Sequence, residues 1–155
     1  MNKKIILGLS LVLIAVMAIG SVSAFDLGSL LGGGEENETV TIGGIDFNIP
    51  AGFTEDTNES TLDQMNEVSG ITYTTNGKLY EKDDTYVALL VADYGDYKVT
   101  DDVAKSVGGV EKTIKNVKGY LTTDGAYSVF HYAKNDKLVV ISANDENVIA
   151  DFIIE

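Results

Sequence analysis

Residues 86–94 read YVALLVADY, and this stretch decides the fold class. Val87 to Val91, in its middle, is apolar at every position, whereas a strand with one face in water alternates apolar and polar residues. An unbroken run of this length predicts a central strand that is buried on both faces. Asp83-Asp84, just before it, predicts the turn by which the chain enters this strand.

Residues 71–82 lead into that turn and predict a β-hairpin. Asn76-Gly77 favours a type I′ turn, because both residues adopt positive φ readily. This register would place Tyr73 opposite Tyr80 as an aromatic cross-strand pair, which makes these two tyrosines a candidate binding face. Residues 54–70, further upstream, are polar and predict a loop with one short helix.

Residues 39–49 predict a second hairpin, with Gly43-Gly44 as its two-residue turn. Pairing about this turn sets Ile42 opposite Ile45. The apolar side chains of both arms then share one face of the hairpin, and the polar side chains share the other, which supports this register.

The segment from Thr100 to Val117 predicts the main helix, with Thr100 as its N-cap. Its apolar residues recur at intervals of three or four positions, which places them on one helical stripe. They are Val103, Val107, Val110, Ile114 and Val117. Gly108-Gly109 conflicts with this pattern, because glycine disfavours a helix; either a close helix–sheet contact or a break in the helix would account for it.

Three further strands and a last helix complete the predicted domain. The strands are residues 119–122, 126–133 and 138–143, and Asn144 or Asp145 would cap the helix that follows. This order of elements predicts an α+β domain over residues 39–155. We expect a largely antiparallel sheet, with the main helix and the C-terminal helix packed on one of its faces.

The N-terminus predicts export. Residues 1–24 have a basic start, an uncharged stretch and small residues at the end, which is the order of a secretory signal peptide cleaved after Ala24. The alternative is a retained signal anchor, in which residues 5–24 would contact the membrane. In both cases the domain would be extracellular or on the outer face of the cytoplasmic membrane, behind a Gly-rich, acidic linker at residues 25–38.

The composition narrows the classes of partner. The chain has 24 acidic residues against 11 lysines and no arginine, and its net charge is −13. Such a surface repels nucleic acid and anionic lipid, and favours cations or basic partners. The chain has no cysteine, which excludes disulfides and thiolate chemistry, and the lack of arginine removes the usual bidentate clamp for phosphate.

No catalytic or cofactor motif stands out, so we expect no catalytic residue and no resident cofactor. The single histidine, His131, lies in the predicted strand 126–133, where it would face Val140. A half-buried strand residue is a simpler interpretation of it than a member of a catalytic triad. Acidic pairs are frequent in so acidic a chain, and a hydrolase with two carboxylates across a cleft is the alternative that they leave open.

Two acidic turns are the candidates for a metal site. Asp83 and Asp84 lie in one of them, and Asp145 and Glu146 lie in the other. Calcium binds carboxylate and carbonyl oxygens of this kind, although neither turn has the spacing of an EF-hand loop. The sequence therefore predicts, at most, a weak calcium site.

Two sequons are the candidates for modification. Asn37 and Asn58 each begin an Asn-x-Ser/Thr triplet, and both fall in predicted loop or linker segments of an exported domain. Glycosylation at these positions is one interpretation, and chance occurrence of a three-residue pattern is the other.

Several stretches resemble small exported proteins of unknown function from methanogenic archaea. They comprise the signal segment with Phe25-Asp26-Leu27-Gly28, the strands from Glu38 to Ile42 and from Gly44 to Phe53, and the later segments from Lys118 to Leu121 and from Lys137 to Ala143. This resemblance implies no known activity and no site. The strand end Ile49-Pro50-Ala51-Gly52-Phe53 is also similar to the α+β sandwich of the PsbP/Mog-like superfamily, which implies a fold but no function.

These features together predict an exported, non-enzymatic binding or interaction module of the cell envelope or exterior. Its partner would be an envelope polymer, a cation or a protein. The carboxylate-based hydrolase, acting on envelope polymers, is the alternative function. A passive, glycosylated surface protein is a third interpretation.

Overall fold

The computed structural model describes residues 36–57, 63–68 and 70–155. The predicted signal segment, nearly all of the predicted linker and Asn58 lie outside the described residues. Within them the chain forms ten strands and two short helices. The strands are β1 (Glu38–Ile42), β2 (Ile45–Ile49), β3 (Thr54–Asp56), β4 (Gln64–Val68), β5 (Ile71–Lys82), β6 (Thr85–Asp93), β7 (Val110–Ile114), β8 (Val117–Asp124), β9 (Tyr127–Lys134) and β10 (Lys137–Ala143). The helices are α1 (Asp101–Val107) and α2 (Ile149–Phe152), and a 3₁₀ turn (Glu146–Val148) precedes α2.

Eight of these strands form one antiparallel sheet. Its order is β3–β5–β6–β10–β9–β8–β7, and β4 pairs with the beginning of β5 while β3 pairs with its end. β1 and β2 form a separate two-stranded hairpin. The predicted class, an α+β domain with a largely antiparallel sheet, is confirmed at this coarse level.

The prediction of a central strand at residues 86–94 is confirmed. β6 lies between β5 and β10, and every residue from Val87 to Val91 is at most 8% exposed. Val87, Leu89 and Val91 belong to one apolar cluster, and Ala88 and Leu90 belong to the other, so the strand contributes to a core on each face of the sheet.

The two faces of the sheet have different covers, and here the predicted arrangement of the helices is wrong. The β1–β2 hairpin and α2 pack on one face, through residues such as Phe47 and Phe152. α1 packs on the opposite face through Val103 and Ala104. Since the middle strands are apolar on both sides, one layer of helices on one face would leave the other side of the core in water.

The prediction for residues 39–49 is confirmed to the residue. β1 and β2 pair with Ile42 opposite Ile45 and with Val40 opposite Phe47. Thr41 and Asp46 share the outer face, where the Thr41 hydroxyl donates a hydrogen bond of 2.6 Å to the carboxylate of Asp46.

The prediction of a hairpin at residues 71–82 is wrong, because β5 runs unbroken through all twelve residues. Asn76 and Gly77 pair with Val91 and Leu90 of β6 instead of forming a turn. A turn at Asn76-Gly77 would leave the apolar middle of β6 without a paired strand on one side. The chain reverses at Asp83-Asp84 instead, where Asp83 has a φ of 52°.

The predicted main helix begins as expected but ends early. The Thr100 hydroxyl accepts a hydrogen bond of 3.4 Å from the Val103 amide, which confirms the N-cap. The helix stops at Val107, because Gly108 and Gly109 have φ values of 116° and 96°. The second half of the apolar stripe therefore becomes β7 and β8, and the break in the helix is the correct reading of the glycine pair.

The segment before the central region differs from expectation, whereas the strands at the end of the chain do not. β3 and β4 occupy most of the described part of residues 54–70, where we predicted a loop with a short helix. The last three strands are confirmed: β8 and β10 are longer than predicted, and β9 has the predicted length but is shifted by one residue. Asp145 caps the 3₁₀ turn by accepting a hydrogen bond from the Asn147 amide, and the short helix α2 follows.

Candidate functional site

His131 lies in the middle of β9, and its imidazole is completely buried. It pairs with Val140 of β10, as the sequence predicted. Its Nε2 lies 3.2 Å from the carbonyl oxygen of Ala104 in α1, and the Tyr120 ring packs beside it with the two ring centres 5.7 Å apart. Nδ1 is buried without a hydrogen-bond partner among the described residues. A histidine enclosed in this way cannot reach a substrate, so it supports no role as a general base.

Burial controls the protonation of His131. Removal from water lowers its pKa, and the hydrogen bond to the Ala104 carbonyl opposes this effect to a smaller extent. Because a carbonyl oxygen only accepts hydrogen bonds, Nε2 must carry the proton that faces Ala104. In the neutral imidazole, the lone pair of Nδ1 is therefore buried without a hydrogen-bond partner among the described residues.

A small polar network joins α1 to the sheet beside this histidine. Lys118 lies 2.9 Å from one carboxylate oxygen of Asp101, and the Tyr120 hydroxyl donates to the other over 3.2 Å. Lys118 also lies 3.3 Å from Glu111. The hydrogen bond from Lys118 is the main reason why the pKa of Asp101 is lowered. Sequence analysis missed this network, because Asp101 and Lys118 are 17 positions apart in the chain.

The two acidic turns proposed for calcium lie at the same end of the sheet. The pairing of β6 with β10 brings them together, and Asn144 links them directly. Its side-chain oxygen accepts a hydrogen bond of 2.8 Å from the Tyr86 amide, and its side-chain nitrogen donates over 2.7 Å to the carbonyl of Asp84.

The carboxylates of these turns are nevertheless partly committed to other partners. Asp145 accepts hydrogen bonds from the Asn147 amide and side chain, at 3.0 and 2.9 Å. Glu146 forms an ion pair with Lys112. Asp83 and Asp84 are exposed in the β5–β6 turn. Within the described ranges, no three His, Cys, Asp or Glu side chains are grouped so that they could hold a metal ion.

Tyr73 and Tyr80 do not form the predicted pair. Tyr73 lies opposite Asn66 of β4, and Tyr80 lies between Glu55 of β3 and Val87 of β6. The two tyrosines belong to apolar clusters on opposite faces of the sheet, and both are buried. They therefore form no common binding face. The reason is the unbroken β5 strand, in which positions 73 and 80 have opposite parity.

Each of these tyrosines has an aromatic neighbour instead. Tyr73 stacks on Tyr94, with ring centres 5.1 Å apart, and Tyr80 packs at a tilt against Phe152. Burial raises the pKa of Tyr80 and of Tyr94. The hydroxyl groups of these two residues have no hydrogen-bond partner among the residues that the structure describes. Their role is to fill the core.

Asn37 is the glycosylation candidate that the structure describes. It is exposed just before β1, and its side-chain oxygen accepts a hydrogen bond of 3.0 Å from the Ala51 amide. This bond uses the oxygen and not the nitrogen to which a glycan is attached. The exposure is compatible with modification, which stays a prediction.

The last strand of the sheet offers a surface that sequence analysis missed. β7 pairs with β8 along one side only, and no other strand in the described part of the chain pairs with its outer side. Val110, at its start, is 75% exposed, and the next three residues are exposed as well. The helical spacing of Val110 and Ile114 concealed this strand. We refer to the outer side of Val110–Ile114 as the β7 edge.

Comparisons with known proteins supply no further site. No helix among the residues described here is long and apolar enough to cross a membrane. No family model matches the sequence, and neither a curated protein nor a solved structure shows significant similarity to it. The function therefore has to be inferred from the chain's own residues.

Proposed function

We propose that this chain is an exported, non-enzymatic interaction domain, and that it binds an extended segment of a partner polypeptide along the β7 edge. The predicted export signal at residues 1–24 supports the location, and the acidic composition supports a soluble, exposed domain. The exposed Val110 on an edge strand is the observation that carries the binding proposal.

An edge strand is suited to this function because of its backbone. In an antiparallel sheet, alternate residues of the last strand direct their N–H and C=O groups away from the sheet, where another strand can bond to them. Val110 lies opposite Leu121 of β8, so a partner side chain placed beside it would extend an apolar row. Main-chain hydrogen bonds would provide affinity, and this apolar row would provide specificity.

The charged residues of β7 do not block its edge. Lysine often protects an exposed edge strand from unwanted pairing. Here Lys112 forms an ion pair with Glu146 on one face of the sheet, and Glu111 forms one with Lys118 on the other. Both charged groups are thus paired with residues of the same molecule.

The occupant is a different polypeptide and not a second copy of this chain. Suppose that two copies of the protein joined their sheets through β7 about a two-fold axis. Residues that pair across the junction would then have to point to the same face of the joined sheet. In the register that pairs all five residues of both strands, Lys112 would then lie opposite its own copy. Like charges directly opposite each other destabilise a strand pair.

The carboxylate-based hydrolase remains the second candidate, and its requirements differ. Such an enzyme needs a general acid whose pKa is raised. The pKa of Asp93 is lowered, chiefly by the Gly95 amide, and that of Asp101 is lowered, chiefly by Lys118. Neither residue therefore supports a role as the general acid.

Site-specific photocrosslinking tests the binding proposal. A crosslinking amino acid is placed at Val110 or, as a matched control, at Met65, which is also 75% exposed but lies on β4 at the other side of the sheet. We expect position 110 to capture one reproducible partner peptide and position 65 to capture none. The captured peptide is then sequenced and synthesised.

The synthetic peptide decides the outcome. It should bind the unmodified protein, and Val110→Asp should weaken binding at least tenfold while Met65→Asp leaves it unchanged. Equal effects of the two substitutions, or no peptide at position 110, would contradict the proposed edge. Turnover of a polymer or ester by the purified protein would instead favour the hydrolase.

A further inference from the structure

The environment of His131 forbids a positive charge in the folded state. Its Nε2–H group faces the Ala104 carbonyl, and Nδ1 has no acceptor nearby among the described residues. A proton added to Nδ1 would create a buried imidazolium with one unsatisfied N–H group. Such a charge is costly, so the protonated ring can persist only if water or a polar partner reaches it.

The covers of His131 differ in how easily they can move. β8 and β10 flank β9 through continuous antiparallel ladders, so neither can leave without breaking the sheet. α1 packs on β8 and β9 as a helix of seven residues. It buries Val103 and Ala104, and its polar ties to the sheet are those of Asp101 and the contact of the Ala104 carbonyl with His131. Of the elements around His131, α1 can therefore move at the lowest energetic cost.

The C-terminal end of α1 depends on the histidine itself. In a longer helix the Gly108 amide would bond to the Ala104 carbonyl, but here it bonds to the Lys105 carbonyl over 3.2 Å. The Ala104 carbonyl is therefore left to His131, which satisfies it from the sheet. Gly108 and Gly109 follow at once. A Cβ atom at position 108 would meet nothing within 4 Å, whereas one at position 109 would lie 2.9 Å from the Leu121 carbonyl oxygen, so the open space for a pivot is at Gly108.

We propose that α1 is an acid-sensitive cover: when His131 binds a proton at Nδ1, α1 leaves β8 and β9 while the strands of the sheet stay paired. The step is a simple protonation, in which solvent supplies the proton and no other covalent bond is made or broken. The open state gives the imidazolium access to water and uncovers the apolar residues beneath α1. This inference does not depend on what binds the β7 edge.

The direction of the pH dependence follows from burial. Because burial lowers the pKa of His131 in the closed state, the ring is neutral there, whereas in the open state it returns towards its ordinary pKa of about 6.5. The open state therefore binds more protons. Opening becomes more favourable as the pH falls below about 6.5, by up to about tenfold for each pH unit until the closed-state pKa is reached.

The other charged groups around α1 act in a different pH range. α1 itself carries Asp101, Asp102 and Lys105, and Lys118 and Glu111 face it from β8 and β7. Asp101 stays ionised to lower pH than an ordinary aspartate, because Lys118 and Tyr120 donate hydrogen bonds to it. The charge of Asp101 therefore does not change in the range in which His131 takes up its proton, so the acid response is assigned to His131.

Hydrogen exchange of the full chain, corrected for the intrinsic pH dependence of exchange, tests the proposal. We expect the opening equilibrium at the α1 amides, such as that of Ala104, to rise about tenfold or more between pH 7.5 and pH 5, while the β6 amides of Leu89 and Leu90 remain protected. His131→Gln keeps an N–H donor for the Ala104 carbonyl but does not titrate, so the rise should disappear. Asp101→Asn should retain it.

The opposite results would overturn the proposal. It fails if α1 and β6 lose protection together, if His131→Gln responds to acid as the natural protein does, or if Asp101→Asn abolishes the response. Since His131 is the single histidine of the chain, its ring signal in an NMR titration is unambiguous. That titration decides the case even if a variant fails to fold. The ring must titrate together with the opening of α1. If it titrates while the α1 amides stay fully protected from exchange, the mechanism is refuted.

Discussion

The ring of Phe130 lies directly above the Cα of Gly119 in the neighbouring strand. A Cβ atom at position 119 would come within 2.5 Å of the ring and within 2.7 Å of the carbonyl oxygen of His131. Gly119 lies within β8, where glycine is ordinarily unfavourable. Its value here is that Phe130 can fill the space above it and complete the core beneath the β1–β2 hairpin.

We therefore predict that Gly119→Ala destabilises the protein. The added methyl group overlaps a ring and a backbone atom, neither of which can yield freely, and overpacking of this kind costs about 1–3 kcal/mol. Thermal or urea unfolding measures the change. Thr123→Ala, at an exposed position of the same strand, is the control and should change stability by less than about 0.5 kcal/mol. Equal stability of the two variants would contradict the packing argument.

The buried tyrosines give a prediction of opposite sign. The Tyr94 hydroxyl is buried without a partner among the described residues, so Tyr94→Phe removes an unsatisfied group. We expect the free energy of unfolding to stay unchanged or to rise by up to about 1 kcal/mol. Tyr120→Phe removes the hydrogen bond to Asp101 and should lower it by about 0.5–1.5 kcal/mol. Chemical denaturation of both variants measures the contrast, and a larger loss in Tyr94→Phe would refute it.

The parts of the fold that could be predicted were those with strong local signals. The Gly43-Gly44 turn, the Thr100 cap and the apolar run of β6 each depend on a few adjacent residues. The errors arose where a distant partner decided between two local options. Asn76-Gly77 is a good turn sequence, but an extended β5 pairs with β6 along the whole length of β6. This pairing stabilises the extended strand more than the local preference stabilises a turn.

The candidate sites were harder to predict for the same reason. The register of His131 with Val140 followed from the neighbouring turn, but the contact with Ala104 joins residues 27 positions apart across a helix and a sheet. The β7 edge was hidden because Val110 and Ile114 also fit a helical stripe. Two glycines at positive φ end the helix before it reaches them. Only the packed structure reveals that these residues form a strand and not a helical stripe.

The calcium hypothesis leads to a third prediction. Calcium requires about six to eight oxygen ligands, and Asp145 and Glu146 are already engaged with Asn147 and Lys112. We therefore expect millimolar calcium to raise the melting temperature no more than magnesium does at equal ionic strength. A rise that is specific to calcium, and that disappears in Asp83→Asn and Asp84→Asn, would instead assign a weak site to the β5–β6 turn.

Asp93 and Lys137 give the last prediction, which concerns stability in acid. Asp93 accepts a hydrogen bond of 2.9 Å from the Gly95 amide and lies 3.1 Å from Lys137, which also donates to the Gly43 carbonyl over 2.7 Å. The Gly95 amide first, and Lys137 second, lower the pKa of Asp93. The unfolded chain therefore binds a proton at this residue more readily than the folded protein does. The stabilisation that results is complete above the unfolded pKa of about 3.9 and is lost as the pH falls through the lower folded value.

Asp93→Asn should therefore lower the free energy of unfolding at pH 7 by roughly 0.2–1 kcal/mol, the range of partly exposed ion pairs, and this difference should shrink as the pH falls below about 3.9. Urea unfolding at several pH values measures it. In a Lys137→Met background the effect of Asp93→Asn should shrink but persist, since the Gly95 amide still favours the charged carboxylate. A difference that does not change with pH would mean that Asp93 stabilises the loop through its shape and not through its charge.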